Sequence, residues 1–228
     1  NSASGTLTTA IKVTRVANSA GMIIQHFDLE VRDARGPVYQ GDTYFGYFRP
    51  EALANQVGIR EATPYQPTPA ERQRAQSFAF PQERPFPDAR WRMVETVDAL
   101  VIDGGPAGLG FVEGSKRVDP DDWFFKAHFH QDPVCPGSLG LESFLQLLKV
   151  LADARWGVGP DTVFETPCVN DEHRWIYRGQ VIPSCERVTV QAVVTAVDDQ
   201  RRRLTADGFL SVDGRVIYQM NAFTLEVS

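Results

Sequence analysis

His128, Gly137 and Glu142 stand close together in the run Trp123-Phe124-Phe125-Lys126-Ala127-His128-Phe129-His130-Gln131-Asp132-Pro133-Val134-Cys135-Pro136-Gly137-Ser138-Leu139-Gly140-Leu141-Glu142. An imidazole, a glycine amide and a carboxyl in that order suit acid–base chemistry on a carbon acid. The imidazole would take a proton from carbon, the amide would hold an enolate-like oxygen, and the carboxyl would help a hydroxyl leave. His128 has Ala127 and Phe129 on either side and two further phenylalanines just before it. Apolar flanks favour the neutral imidazole that a general base requires; the plain alternative is a hydrogen-bonded core histidine. Pro136-Gly137 precedes an apolar helix, whose first amides lack partners within the helix and carry partial positive charge. The Gly137 amide is therefore a candidate oxyanion donor, although Pro-Gly before a helix is also a common turn. Glu142 is less obvious. At about 100° per residue it falls off the middle of the apolar stripe, on the side of Ser138, Gln146, Lys149 and Asp153. Periodicity alone predicts a solvent-facing glutamate, which becomes an acid only if that face borders a cleft or a second subunit.

The elements around this run are of two kinds. From about Thr8 to Phe48 the pattern is strand-like, with alternation in Ala10–Val16 and Met22–Val31 and a turn at Asp33-Ala34-Arg35-Gly36. Six prolines then punctuate residues 64–88, which reads as an extended connector with a short helical turn around Ala70–Ala75. Beyond it come β segments near Arg90–Ile102 and Leu109–Gly114, joined by Gly104-Gly105-Pro106-Ala107-Gly108. That turn lacks the Gly-Lys-Ser/Thr ending of a phosphate loop and precedes no helix, so it reads as a hairpin tip. A long helix is expected over Ser138–Arg155, where Leu141, Phe144, Leu145, Leu148, Leu151 and Ala152 share a face. Strands are expected near Arg174–Gln180, Arg187–Val197, Arg203–Val212 and Val216–Val227. One apolar helix with an antiparallel run is an α+β layout in which a curled sheet covers the helix. The expected division is a β unit at 1–64, a connector at 65–88 and a helix-bearing unit at 89–228. Asp33–Gln40 parallels Val212–Gln219, as though the first unit were a copy lacking its helix-bearing front half.

Composition is that of an ordinary soluble globular protein, 43% hydrophobic and 23% charged over 228 residues. A net charge of −6 argues against a nucleic-acid surface. The one basic cluster, Arg201-Arg202-Arg203, fits a solvated hairpin tip. Cys135, Cys168 and Cys185 are odd in number and widely spaced, which suits a reducing compartment. With His128 and His130 they match no common zinc spacing, so no metal is expected. The start, Asn1-Ser2-Ala3-Ser4-Gly5, is not a basic-then-apolar signal segment, and no apolar run approaches bilayer length. A cytoplasmic chain, excised from a longer polypeptide, is the expectation.

The run Trp123–Leu148 resembles the active-site motif of the hotdog-fold 3-hydroxyacyl-acyl-carrier-protein dehydratases, in particular the bacterial 3-hydroxydecanoyl dehydratase/isomerase branch. The His-Phe pair, Asp-Pro-Val-x-Pro-Gly and Leu-Gly-Leu-(acid) agree in order and spacing, and the likeness extends over about Arg90–Val227. The two-unit arrangement is similar to the dehydratase region of bacterial polyunsaturated fatty acid synthases. The resemblance implies a complete hotdog preceded by a partial one, with His128 as base, Glu142 as acid and the Gly137 amide on the thioester carbonyl. Phe129 and Val134 fall on pocket-lining positions, and Ser138 on a place where the decanoyl branch has cysteine. That branch has aspartate where Glu142 stands, whereas the related hexameric dehydratases have glutamate. The implied reaction is dehydration of a 3-hydroxyacyl thioester carried on the phosphopantetheine of an acyl carrier protein, without metal or redox cofactor. The implied assembly is a dimer or pseudo-dimer of hotdogs, with the histidine from one half and the acid from the other. An acyl thioesterase and a non-catalytic acyl-carrier-binding domain are the competing readings.

Overall fold

Alternating apolar and polar residues in the first fifty positions produce three long antiparallel strands, β1 (Thr8–Ser19), β2 (Met22–Asp33) and β3 (Gly36–Tyr47), followed by a short helix α1 (Pro50–Ala54). The computed structural model describes residues 5–19, 22–54 and 56–228; residues 1–4, which open the stretch unlike a signal segment, lie outside them. Two compact units result, Asn1–Gln56 and Val57–Ser228. In the first unit, Ile11, Leu29 and Gly41 form one cross-strand row and Val13, Phe27 and Thr43 the next. Directly paired residues share a sheet face. One face therefore gathers Ile11, Val13, Val16, Phe27, Leu29, Tyr39 and Phe45, while the other carries rows such as Lys12–Asp28–Asp42. Ile11, Val13, Val16, Tyr39 and Phe45 are each at least half exposed, so the apolar face stays open among the described residues.

The second unit carries the helix. Its elements are α2 (Pro69–Arg74), β4 (Gln76–Ala79), β5 (Thr96–Val101), β6 (Phe111–Arg117), α3 (Trp123–Ala127), α4 (Gly137–Trp156), β7 (Phe164–Glu165), β8 (Arg174–Tyr177), β9 (Arg187–Asp198), β10 (Arg203–Val212) and β11 (Arg215–Val227). The sheet runs β4-β5-β6-β9-β10-β11-β7, with β8 also paired to β11. It curls around α4, whose Phe144, Leu147, Leu148 and Ala152 are fully enclosed against inward residues of β10 such as Leu204, Ala206, Leu210 and Val212. Each of the larger side chains among these contributes about 1.5–3 kcal/mol of apolar burial. This is an α+β hotdog. The wrapping is more complete than a one-sided stripe predicts: every residue from Ser143 to Leu148 is buried, Gln146 included.

Residues 65–88, expected as a connector, lie inside the second unit. β4 pairs with β5, and Glu71 anchors the segment although it is only 6% exposed. Its carboxylate accepts hydrogen bonds from the Thr68 amide (2.7 Å) and hydroxyl (2.8 Å), the Tyr65 hydroxyl (2.8 Å) and the Gly105 amide (2.8 Å). Those donors, the Thr68 amide first, hold its pKa down at about 2 from the usual 4.5. A depressed carboxylate stabilises the fold above its unfolded pKa and loses that contribution as pH falls toward its folded one. Glu71→Gln should therefore lower the melting temperature most above about pH 5. The gap to the wild type should close steadily toward pH 2, as followed by circular dichroism melts across that range. A gap that stays constant with pH would show that the carboxylate's charge is irrelevant.

Candidate active site

α3 is capped by His128, whose amide still donates to the Phe124 carbonyl at 2.9 Å. The chain then loops to Gly137, where α4 begins. Within that loop His128 and Val134 are joined twice. The Val134 amide donates to the His128 carbonyl at 2.9 Å, and His128 Nδ1 lies 3.1 Å from the Val134 carbonyl. A carbonyl only accepts, so Nδ1 carries a proton, and in the neutral ring the lone pair is on Nε2. The Phe129 ring lies over the imidazole with centroids 3.7 Å apart. Val134 is buried, whereas Phe129 is 59% exposed. Hydrogen bonds between Phe129 and Asp132 close the tip of the loop.

Gly137 is the first residue of α4, and its amide has no hydrogen-bond partner among the described residues. The Cys135 amide is tied to the Val181 carbonyl at 2.9 Å, so the approach to the helix is fixed from both sides. Burial pushes the Cys135 thiol up to about 12, which makes it an inert packing group at neutral pH. A tier of aromatic rings from β8 and β11 presses on the first turn of α4. A Cβ on Gly137 would lie 3.2 Å from both Trp175 and Tyr177, and one on Gly140 only 2.5 Å from the ring of Tyr218. Burial raises the phenols of both tyrosines, that of Tyr177 to about 12. Glycine at these two positions lets the rings approach the helix backbone. Ser138 is exposed on the same turn.

Glu142 lies further along α4, with its side chain 31% exposed. Its Oε1 accepts from Gln146 Nε2 at 3.1 Å and Lys149 Nζ at 3.3 Å. Gln146 also donates to the Trp91 carbonyl (2.8 Å) and accepts from the Met93 amide (2.9 Å). Periodicity placed Gln146 on the polar face; it is buried because its amide satisfies this passing backbone. No hydrogen bond or ion pair joins His128 to Glu142 among the described residues. The structure thus places His128, Phe129 and Val134 in the loop that leads to the Gly137 amide at the start of α4, with Glu142 further along that helix. Trp175, Tyr177 and Tyr218 are the contributors that sequence reasoning misses, while it places Gln146 and Lys149 beside Glu142 without a role. The signal for Gln146 and Lys149 was their position one and two turns after Glu142.

Beneath α3 and the start of α4 is an apolar cavity of about 40 Å³, lined by Phe124, Phe125, Cys135, Leu139, Ser143 and Leu210 among others. Phe129, Val134 and Ser138 do not line it. It has room for little more than one water-sized group, far less than an extended acyl chain occupies. Among the described residues no three metal-binding side chains converge, and no helix is long and apolar enough to cross a membrane.

Residues 86–221 match the FabA-like domain family. The chain is 32% identical to one component of a polyunsaturated fatty acid synthase from Thraustochytrium sp., over 89% of its own length and 15% of the relative's. It therefore spans only a small part of that curated relative. Among solved structures it is similar to the ApeI:P dehydratase heterocomplex of Xenorhabdus doucetiae, with TM-score 0.44 and 15% identity over 61% of this chain and 86% of that one. It is also similar to a Pseudomonas aeruginosa thioesterase, with TM-score 0.36 and 17% identity over 51% and 73% of the two chains.

Proposed function

Because the chain belongs to the FabA-like domain family, we propose that it dehydrates 3-hydroxyacyl thioesters to enoyl thioesters as a module of a polyunsaturated fatty acid synthase. The observation that carries this reading is the clasp between His128 Nδ1 and the Val134 carbonyl. It makes Nε2 the basic nitrogen of the neutral ring, on the loop that leads into the unpartnered Gly137 amide at the start of α4.

In the proposed reaction His128 Nε2 takes the Cα proton. The Gly137 amide donates to the thioester oxygen as negative charge grows there, an interaction worth on the order of 3 kcal/mol. The Cβ–O bond then breaks, and the hydroxyl leaves as water with a proton from Glu142 or from a water that Glu142 holds. Glu142 would act on substrate bound to a neighbouring hotdog unit, so the complete site takes two units. The thioester would be presented on the phosphopantetheine arm of an acyl carrier protein, and the acyl chain would lie along the seam between two paired hotdogs. The chemistry calls for no metal or redox cofactor.

The test is to offer the protein matched saturated and 3-hydroxyacyl carrier-protein thioesters and follow the products by mass spectrometry. Loss of one water from the 3-hydroxyacyl series alone is the expected result. Free thiol released from both series would establish a thioesterase instead, and binding without turnover a structural acyl-carrier module.

A further inference from the structure

Resting on that reading of Glu142, we propose that Lys149 is a positioning residue that, with Gln146, grips one carboxyl oxygen and leaves the other to face the substrate. Both donors converge on Oε1, from Gln146 at 3.1 Å and from Lys149 at 3.3 Å, and Oε2 has no partner among the described residues. The two grips differ in kind. Gln146 is completely buried, and its other bonds, to the Trp91 carbonyl and the Met93 amide, prevent it from turning. Lys149 stands two helical turns from Glu142 and reaches back along the same side of α4.

Lys149 is not an ordinary surface lysine. Its side chain is 16% exposed, half the 31% of its partner, and Glu142 is the one anion paired with it among the described residues. A lysine side chain packed this closely against the helix has few directions left for its ammonium, which is held on Glu142 Oε1. With Oε1 saturated by N–H donors, any proton that Glu142 carries sits on Oε2. Oε2 is then the oxygen that meets the leaving hydroxyl or its water, whichever way the proton moves. Without Lys149 the carboxyl pivots about its single remaining hydrogen bond to Gln146, and Oε2 no longer has one direction.

Lys149→Met and Lys149→Arg test the idea in the full chain, assembled as it occurs with its partner unit. With a 3-hydroxyacyl pantetheine thioester, Lys149→Met is expected to lower kcat by roughly 10- to 100-fold, the scale of misplacing a reacting group by about 1 Å. KM should stay within about twofold and the melting temperature nearly unchanged, whereas Lys149→Arg recovers most of kcat. Independently of turnover, the side-chain amide resonances of Gln146, which share Oε1, should shift in Lys149→Met and return in Lys149→Arg. Unaltered kcat in Lys149→Met overturns the proposal, as does a loss that arginine fails to rescue or that follows falling stability. If the wild-type chain forms no enoyl product, dehydration itself is refuted. The Gln146 resonances then decide the grip alone, and their failure to move refutes it.

Discussion

His128→Ala is expected to lower the rate of enoyl formation by about 10²- to 10⁴-fold, the usual contribution of a positioned general base. The substitution removes Nε2 and also the donor to the Val134 carbonyl. The loop should survive, because the Val134 amide still donates to the backbone carbonyl at position 128 and the Cys135 amide to Val181. Melting temperature and circular dichroism should therefore match the wild type. His128→Asn separates the two roles of the ring: asparagine can still donate to Val134 but has no basic nitrogen, and it should be as inactive as alanine. Added imidazole should restore part of the alanine variant's rate and none of the asparagine variant's, whose side chain fills the vacated space. Turnover by His128→Asn near the wild-type rate would remove His128 from the chemistry.

Gly208→Ala is expected to be among the most damaging small substitutions in the fold. A Cβ at this position would lie 2.2 Å from Cε2 of Phe144 and 2.3 Å from the backbone carbonyl of Gln191. The first atom belongs to a fully buried ring and the second to the paired strand β9, so neither has room to retreat. Overpacking of this kind costs about 1–3 kcal/mol, or a fall of roughly 3–10 °C in melting temperature for a unit of this size. Phe144 is two residues from Glu142 on α4. Displacing the ring moves the helix that carries both Glu142 and the Gly137 amide, so activity should fall at temperatures where the variant is still folded. Calorimetry paired with steady-state rates at about 20 °C, near the usual stability maximum, would show both effects. A melting temperature indistinguishable from the wild type would mean that the sheet gives way at little cost.

The helix α4 is legible in the sequence because twenty residues give the 3.6-residue period several turns to repeat. The long strands β9, β10 and β11 are legible for the same reason, together with their Asp-Asp and Asp-Gly turns. Short elements have no such signal. α3 has five residues, β4 four and β7 two, and neighbours rather than periodicity define them. β4 is the clearest case, since prolines on both sides mark a loop while β5 supplies the ladder that makes it a strand. Around the candidate site, the run from His128 to Glu142 is visible by residue type and order. The setting of each side chain is not. Gln146 is polar and sits where a helical wheel puts water, yet its burial depends on backbone at Trp91 and Met93, over fifty residues earlier. Tyr218 reaches Gly140 only because β11 is held in register by β10 and β8. Long-range pairings of that sort leave no local pattern to read.

The open side of β1–β3 bears on how damage to this protein would show itself. Unsheathed aliphatic and aromatic side chains on a three-stranded sheet, whose outer strands β1 and β3 pair on one side only among the described residues, invite sticking to any similar surface. Lesions there would be scored as precipitation or poor yield while His128, Gly137 and Glu142 stayed intact. In a mutagenesis screen read out by product alone, such clones would be mistaken for catalytic mutants, so soluble protein should be measured before any residue in those strands is assigned a chemical role.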